Sequence, residues 1–236
     1  MKNWLFFLSV AVLALLFITL GALAAFRIQS MAVQGNQKVT PQEIYERLSN
    51  FMGENLLVVD LSEVAKDLLQ DRRIAGVEVR RIWPNQLLVI VKEKEPVFLV
   101  KTSRLWGLTA EGEIVPADTL DNAQLPQVRG IKSSNWRAYT LPASPELQQI
   151  LVFYRAVKSE SEQMLSLISE IELSRKRDLT LTMAFGNTKV YLGHQDFEKR
   201  LNRLTEILSL GVNGNLTIDL RFENQAIVKE IKADEA

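Results

Sequence analysis

Residues 4–26 are 23 consecutive positions without Asp, Glu, Lys or Arg, and Ser9 and Thr19 carry the only hydroxyls among them. A helix of that length reaches about 35 Å, enough to cross a hydrocarbon core about 30 Å thick with its backbone groups satisfied internally. The run is dominated by Leu, Phe, Val, Ile and Ala, so insertion into lipid is favourable. A cleaved signal peptide is the competing reading, because Ala22-Leu23-Ala24 resembles an A-x-A site. The apolar core of a signal is about 7–15 residues, shorter than this run, which favours a retained anchor. Charge does not orient that anchor, since Lys2 and the amino terminus precede it while Arg27 and Lys38 follow closely.

The chain has 236 residues, 47% of them hydrophobic, which allows one or two compact domains. Lys plus Arg and Asp plus Glu both number 28, so no charge excess points to nucleic acid or a polyanionic substrate. With no cysteine, disulfides, thiolate metal sites and cysteine nucleophiles are excluded, and with His194 the single histidine, so are multi-histidine sites. No nucleophile elbow, phosphate-binding loop, dinucleotide fingerprint or zinc-protease motif is present. His194 reads as a turn or surface residue, and Trp83, Trp106 and Trp136 as core or turn anchors. No catalytic residue, cofactor, metal or small-molecule substrate is expected.

After the apolar run, residues 28–33 are extended in type and Gly35-Asn36 marks a turn. Thr40-Pro41-Gln42-Glu43 places an N-cap, a first-turn proline and a capping-box acid at a helix start, with Ile44, Leu48 and Phe51 on one face and Gly53 as the stop. Asp60 opens a second helix burying Leu61, Val64, Leu68 and Leu69, and Gly76 closes that unit. Residues 77–80 alternate as a strand, Trp83-Pro84-Asn85-Gln86 turns, and residues 87–93 return. The order is strand, helix, helix, strand, strand, a small α+β domain.

The later residues read as short strands and two helices. A hairpin is expected at residues 105–116, and a helix from Ser144-Pro145-Glu146 with Leu147, Ile150, Leu151, Tyr154 and Val157 as its stripe. Strands at residues 167–173, 179–183 and 189–192 lead to a helix over residues 196–210 whose apolar stripe is Phe197, Leu201, Leu204 and Leu208. Its other face, Glu198, Lys199, Arg200, Arg203 and Glu206, reads as solvated. Residues 216–222 alternate, placing Leu216, Ile218, Leu220 and Phe222 inward and Thr217, Asp219 and Arg221 outward, where Asp219 and Arg221 form a local ion pair. A last strand runs over residues 226–232, and its Lys229, Glu230 and Lys232 suit an exposed edge.

The string Val33-x-Gly35-Asn36, then Gly53-x-Asn55-Leu56-Leu57, then Arg81-x-Trp83-Pro84-Asn85-x-Leu87 and Glu93-x-Glu95-Pro96-Val97 resembles the POTRA domain of the FtsQ/DivIB cell-division family. Residues 110–116, 125–130 and 217–222 are similar to segments of the family's second, β-rich domain. The resemblance implies an α+β protein with a single N-terminal transmembrane helix, a POTRA domain and a second β-rich α+β domain with a terminal edge strand. The expected divisions are a cytoplasmic tail at 1–3, the span at 4–26, POTRA at 27–96 and the β domain at 97–236. It further implies a non-enzymatic divisome scaffold at the division septum, a single-pass protein of the bacterial inner membrane with its N-terminus cytoplasmic and its domains periplasmic.

Its implied partners are FtsB- and FtsL-like single-span proteins, bound by strand addition along the C-terminal edge. The residues carried over are Arg221, Phe222, Asn224, Gln225, Ala226, Ile227 and Val228, with Arg175 a weaker member. Glu230 stands where some relatives carry a tryptophan, so a charge-based contact replaces an apolar anchor there. Two further departures are the three-residue leading tail and Asp71-Arg72-Arg73-Ile74, where the family often has a proline. Two alternatives stay open: a POTRA-bearing protein that handles unfolded polypeptides, disfavoured because no run of barrel strands follows, and a membrane-anchored hydrolase using carboxylates alone.

Overall fold

The computed structural model describes residues 4, 7–15, 25–117, 125–132, 135–160, 162–211, 214–223 and 225–230. Residue 4 and residues 7–15 are helical and exposed. Among the described residues no helix is long and apolar enough to cross a membrane, and residues 5, 6 and 16–24 of the expected span lie outside them. The chain divides into two compact units, residues 1–94 and 95–236.

In the first unit the strands are β1 (Ser30–Gln34), β2 (Ile74–Ile82) and β3 (Gln86–Glu93), in the order β1-β3-β2. β1 pairs parallel to β3 from Ser30 opposite Gln86 to Gln34 opposite Ile90, and β2 pairs antiparallel to β3. Two helices, α1 (Pro41–Arg47) and α2 (Leu61–Leu69), contribute Ile44, Val64 and Leu68 to a core shared with Leu87, Val89 and Val91 of β3. The alternating burial of β3 follows from its central place, with one face on the helices.

The expected capping box forms: Thr40 Oγ1 accepts from the Glu43 amide at 3.2 Å and Glu43 accepts from the Thr40 amide at 2.7 Å. The Thr40 amide, with help from Arg73, holds the Glu43 carboxyl below the usual carboxylate range. In the segment where a proline was missing, Arg73 bridges Asp71 at 2.8 Å and Glu43 at 3.0 Å, so ion pairs fix the exit from α2. The Arg73 guanidinium, opposed by partial burial, pulls the Asp71 carboxyl down.

Three local expectations are corrected. The first helix ends at Arg47 and passes through a 3-10 turn, Ser49–Phe51, so Gly53 closes that turn instead of the helix. Gly76 lies within β2, at a shift in its pairing with β3, because the strand begins two residues earlier at Ile74. Leu69 is exposed, since a nine-residue helix on one sheet face buries only the narrow stripe of Val64 and Leu68.

The second unit is built on one nine-stranded mixed sheet: β4 (Pro96–Lys101), β5 (Leu105–Thr109), β6 (Ile114–Pro116), β7 (Gln127–Arg129), β8 (Ile168–Leu173), β9 (Leu179–Met183), β10 (Lys189–Gly193), β11 (Leu216–Asp219) and β12 (Ile227–Glu230). Their spatial order is β12-β11-β10-β9-β8-β7-β4-β5-β6. The pairs β4-β7, β7-β8 and β10-β11 are parallel. Helices α3 (Pro145–Glu160) and α5 (Phe197–Ser209), with the short α4 (Glu162–Ser166) between them in sequence, complete the unit. Phe153 of α3 meets Phe197 of α5 edge to face at 5.7 Å, and both belong to the core with Ile171, Leu181, Val190 and Ile218.

The Glu93 carboxylate is buried at the end of β3 and accepts from the amides of Gln37, Lys38 and Val39 at 2.8–2.9 Å. Three charge-assisted bonds to one loop make Glu93 the brace between β3 and the start of α1. Glu93→Ala is expected to cost the first unit about 2–3 kcal/mol, and Glu93→Gln, which keeps one acceptor, less. Amide hydrogen exchange of β1 and β3 checks this, with exchange in the second unit unchanged.

Candidate functional site: the β11-β12 edge

The two ends of the nine-stranded sheet are treated differently. At the β6 end, the Ile114 amide donates to Thr140 and its carbonyl accepts from Tyr139, so an irregular segment covers part of that edge. At the other end, β12 pairs antiparallel with β11, from Leu216 opposite Glu230 to Asp219 opposite Ile227. Among the described residues β12 has no second strand beside it, and all four of its residues are exposed. Its outer side therefore presents main-chain donors and acceptors in strand register.

Two arginines of α5 hold the loop that launches β12. Arg200 is 6% exposed and donates to the carbonyls of Leu192 and Arg221. Gly193, at φ +78°, makes room: a Cβ there would sit 2.3 Å from the Arg200 guanidinium. One turn on, Arg203 donates to the carbonyls of Phe222 at 3.1 Å, Glu223 at 2.6 Å and Gln225 at 3.3 Å. A polar hollow of about 440 Å³ beside this loop is lined by Asp196, Lys199, Arg200, Asn202, Arg203 and Glu223.

The expected ion pair forms as a fork. Arg221 meets Asp219 through Nε at 2.9 Å and through a terminal nitrogen at 2.5 Å, and its own amide donates to the same carboxylate at 3.0 Å. The Arg221 guanidinium, against partial burial, holds the Asp219 carboxyl below the usual range. The same guanidinium lies 5.2 Å from the Tyr191 ring centroid. His194 is paired with Asp178 at 2.7 Å and is exposed.

The structure brings most of the expected residues together. Leu179 opposes Gly193 and Tyr191 opposes Asp219, so the β8-β9 turn carrying the exposed Arg175 lies at the sheet end where Arg221 and Phe222 emerge. β10 lies between β9, where that turn ends, and the β11-β12 hairpin. Gln225 is exposed, Ala226 packs partly against the core, and Ile227, Val228 and Glu230 lie on β12, with Glu230 farthest from Arg221 along the strand. Asn224 lies outside the described residues, as do residues 231 and 232 of the expected last strand.

Two expectations are corrected. Phe222 does not pack inward: it is 49% exposed, because β11 ends at Asp219 and the backbone turns under the Arg221 and Arg203 bonds before the alternation reaches it. Arg200 is not on a solvated face. It stands three residues after Phe197 and four before Leu204, so helical spacing alone puts it among the buried groups, and that spacing was the available signal.

Comparisons with known proteins agree with this architecture. Residues 26–94 match the family model of the POTRA domain, FtsQ-type, and residues 99–221 match that of the cell division protein FtsQ/DivIB, C-terminal. Cell division protein FtsQ of Anaeromyxobacter sp. is 30% identical over 204 residues, covering 84% of this chain and 68% of that protein. Cell division protein FtsQ of Geotalea daltonii is 25% identical over 210 residues, 87% of this chain and 76% of that protein. Cell division protein DivIB of Clostridium acetobutylicum is 21% identical over 210 residues, at 86% and 82%. The chain is thus a POTRA-containing protein of bacterial cell division, and it belongs to the FtsQ/DivIB family. The C-terminal match stops at residue 221, so β12 stands on the geometry of this chain.

Removing the Arg203 guanidinium should loosen the hairpin before anything else. Arg203→Ala is expected to speed amide exchange at Ile227–Glu230 by about tenfold or more, leaving β8 and β9 unchanged, as read by exchange mass spectrometry. A lowered carboxylate stabilises above its ordinary pKa, about 3.9, and loses that contribution as pH falls through its folded value. The Arg221 Nε–H resonance should therefore hold steady from neutrality to about pH 4 and shift below it, and Asp219→Asn should abolish the shift.

Proposed function

We propose that this protein is a non-enzymatic, bitopic scaffold of the bacterial division machinery, anchored in the inner membrane by residues 4–26 with its N-terminus cytoplasmic and both units periplasmic. Its task is to hold FtsB- and FtsL-like single-span partners at the septum by accepting a strand from one of them along the outer side of β12. The observation that carries this reading is the sheet's end: a fully exposed four-residue strand, laddered on one side by β11 and braced from behind by two arginines of α5.

The chemistry suits strand addition. Main-chain bonds along β12 supply affinity, while side chains at the rim supply selectivity. Exposed Ile227, Val228 and Phe222 offer apolar contact to the incoming segment. Arg175 and Glu230 provide charges of opposite sign at the two ends of the platform, and Arg221, already forked onto Asp219, orders the base of the hairpin.

Phe222→Lys leaves the core untouched because the ring is half in solvent, so the fold should survive. Partner affinity should fall by about tenfold or more if the ring is a contact, measured by calorimetric titration of the detergent-solubilised chain with the partner. Photoreactive residues placed along residues 222–232 in dividing cells should capture that partner, and capture elsewhere with unchanged affinity would defeat the proposal.

A further inference from the structure

We infer that the end of the first unit carrying Met52, Leu57, Val58, Ile82 and Trp83 is a second membrane contact, seated at the lipid interface beside the point where the chain leaves the bilayer. The inference rests on the anchor reading above.

Residue 26 closes the apolar run and is already bonded into the folded unit: its carbonyl accepts from the Leu56 amide at 2.7 Å, and its ring meets Trp83 edge to face at 5.8 Å. Arg27 bridges to Asn55, Ile28 exchanges main-chain bonds with Gly53 and Glu54, and the Gln29 amide donates to Asn85. No linker separates the run from the domain. Whatever surrounds residue 26 is held within a residue or two of the bilayer boundary.

What surrounds it is apolar and uncovered. Val58 is 80% exposed and Trp83 56%, and Met52, Leu57 and Ile82 are also exposed. The loop that carries Leu57 and Val58 is not slack, because Arg81 donates to the carbonyls of Leu56 at 2.6 Å and Val59 at 2.7 Å. A rigid loop therefore offers aliphatic side chains in the manner of a shallow interfacial anchor, with a tryptophan at the depth tryptophan favours. The charges around it balance: Arg27 and Arg81 are basic, Glu54 and Asp60 acidic. The attraction is apolar burial, and a zwitterionic surface suffices. Ala75, at the opposite end of β2, lies about 26 Å from Trp83 along the strand and belongs in water.

The chain contains no cysteine, so single probes can be introduced one at a time. Leu13→Cys, Val58→Cys and Ala75→Cys in the full chain, each carrying an environment-sensitive fluorophore, would be reconstituted into phosphatidylcholine vesicles with brominated acyl chains. Lipid quenching at positions 13 and 58 and its absence at 75 is the expected result. Quenching at 13 with a water-accessible probe at 58 overturns the interfacial contact while leaving the anchor intact. A water-accessible probe at 13 overturns the anchor reading and this inference with it. Equal quenching at 58 and 75 overturns the defined seating, since the unit would then lie on lipid without orientation.

Discussion

An open sheet has two ends, and at each the backbone must find partners or leave them to solvent. The second unit resolves its ends unequally. Next to β6, Tyr139 and Thr140 take up the main-chain groups of Ile114. Next to β12 no described residue does so, and the strand carries lysine and glutamate beside two aliphatic side chains. A charged, short edge discourages indiscriminate pairing, yet it remains a template for a segment whose own charges match. The partner-binding reading depends on that asymmetry.

Keeping such an edge in shape is costly for an outer strand with little core of its own. β11 contributes Ile218 to the hydrophobic cluster, but on the β12 side Ile227 and Val228 are exposed and, among the described residues, Ala226 alone packs against it. The arginines of α5 compensate. A guanidinium has five donors in a fixed plane, so Arg203 can satisfy three carbonyls of one loop, those of Phe222, Glu223 and Gln225, which no apolar residue could do. Arg200 is buried, which is affordable because carbonyl oxygens receive it and the Asp219 carboxylate lies near enough to feel its charge. Gly193 is the local price of that insertion in backbone freedom.

Much of this architecture was legible from short-range chemistry. The Thr40 and Glu43 spacing specified a reciprocal cap, Trp83 through Gln86 a turn, and Leu179–Met183 a strand of regular alternation. What failed did so where local bonding overrode periodicity. Alternation from Leu216 predicts an inward Phe222 only while the strand continues, and Asp219 ends it by capturing the Arg221 amide. Arg200 was assigned to solvent by residue type although its spacing said otherwise. The brace of Glu93 on residues 37–39 links positions more than fifty apart, and although Glu93 stands in a recognisable motif, nothing in the spacing pointed to its partners.

One consequence follows from the order β1-β3-β2. The chain is bonded to residues 53–56 from residue 26 onward, runs on into β1 and leaves the unit at the end of β3, and β1 and β3 are parallel neighbours, with Ser30 opposite Gln86 and Gln34 opposite Ile90. A pull between the two ends would slide one strand along the other, loading the ladder in shear so that its bonds resist together instead of parting one after another. Load applied through β1 and β3 would therefore be carried by the whole ladder at once.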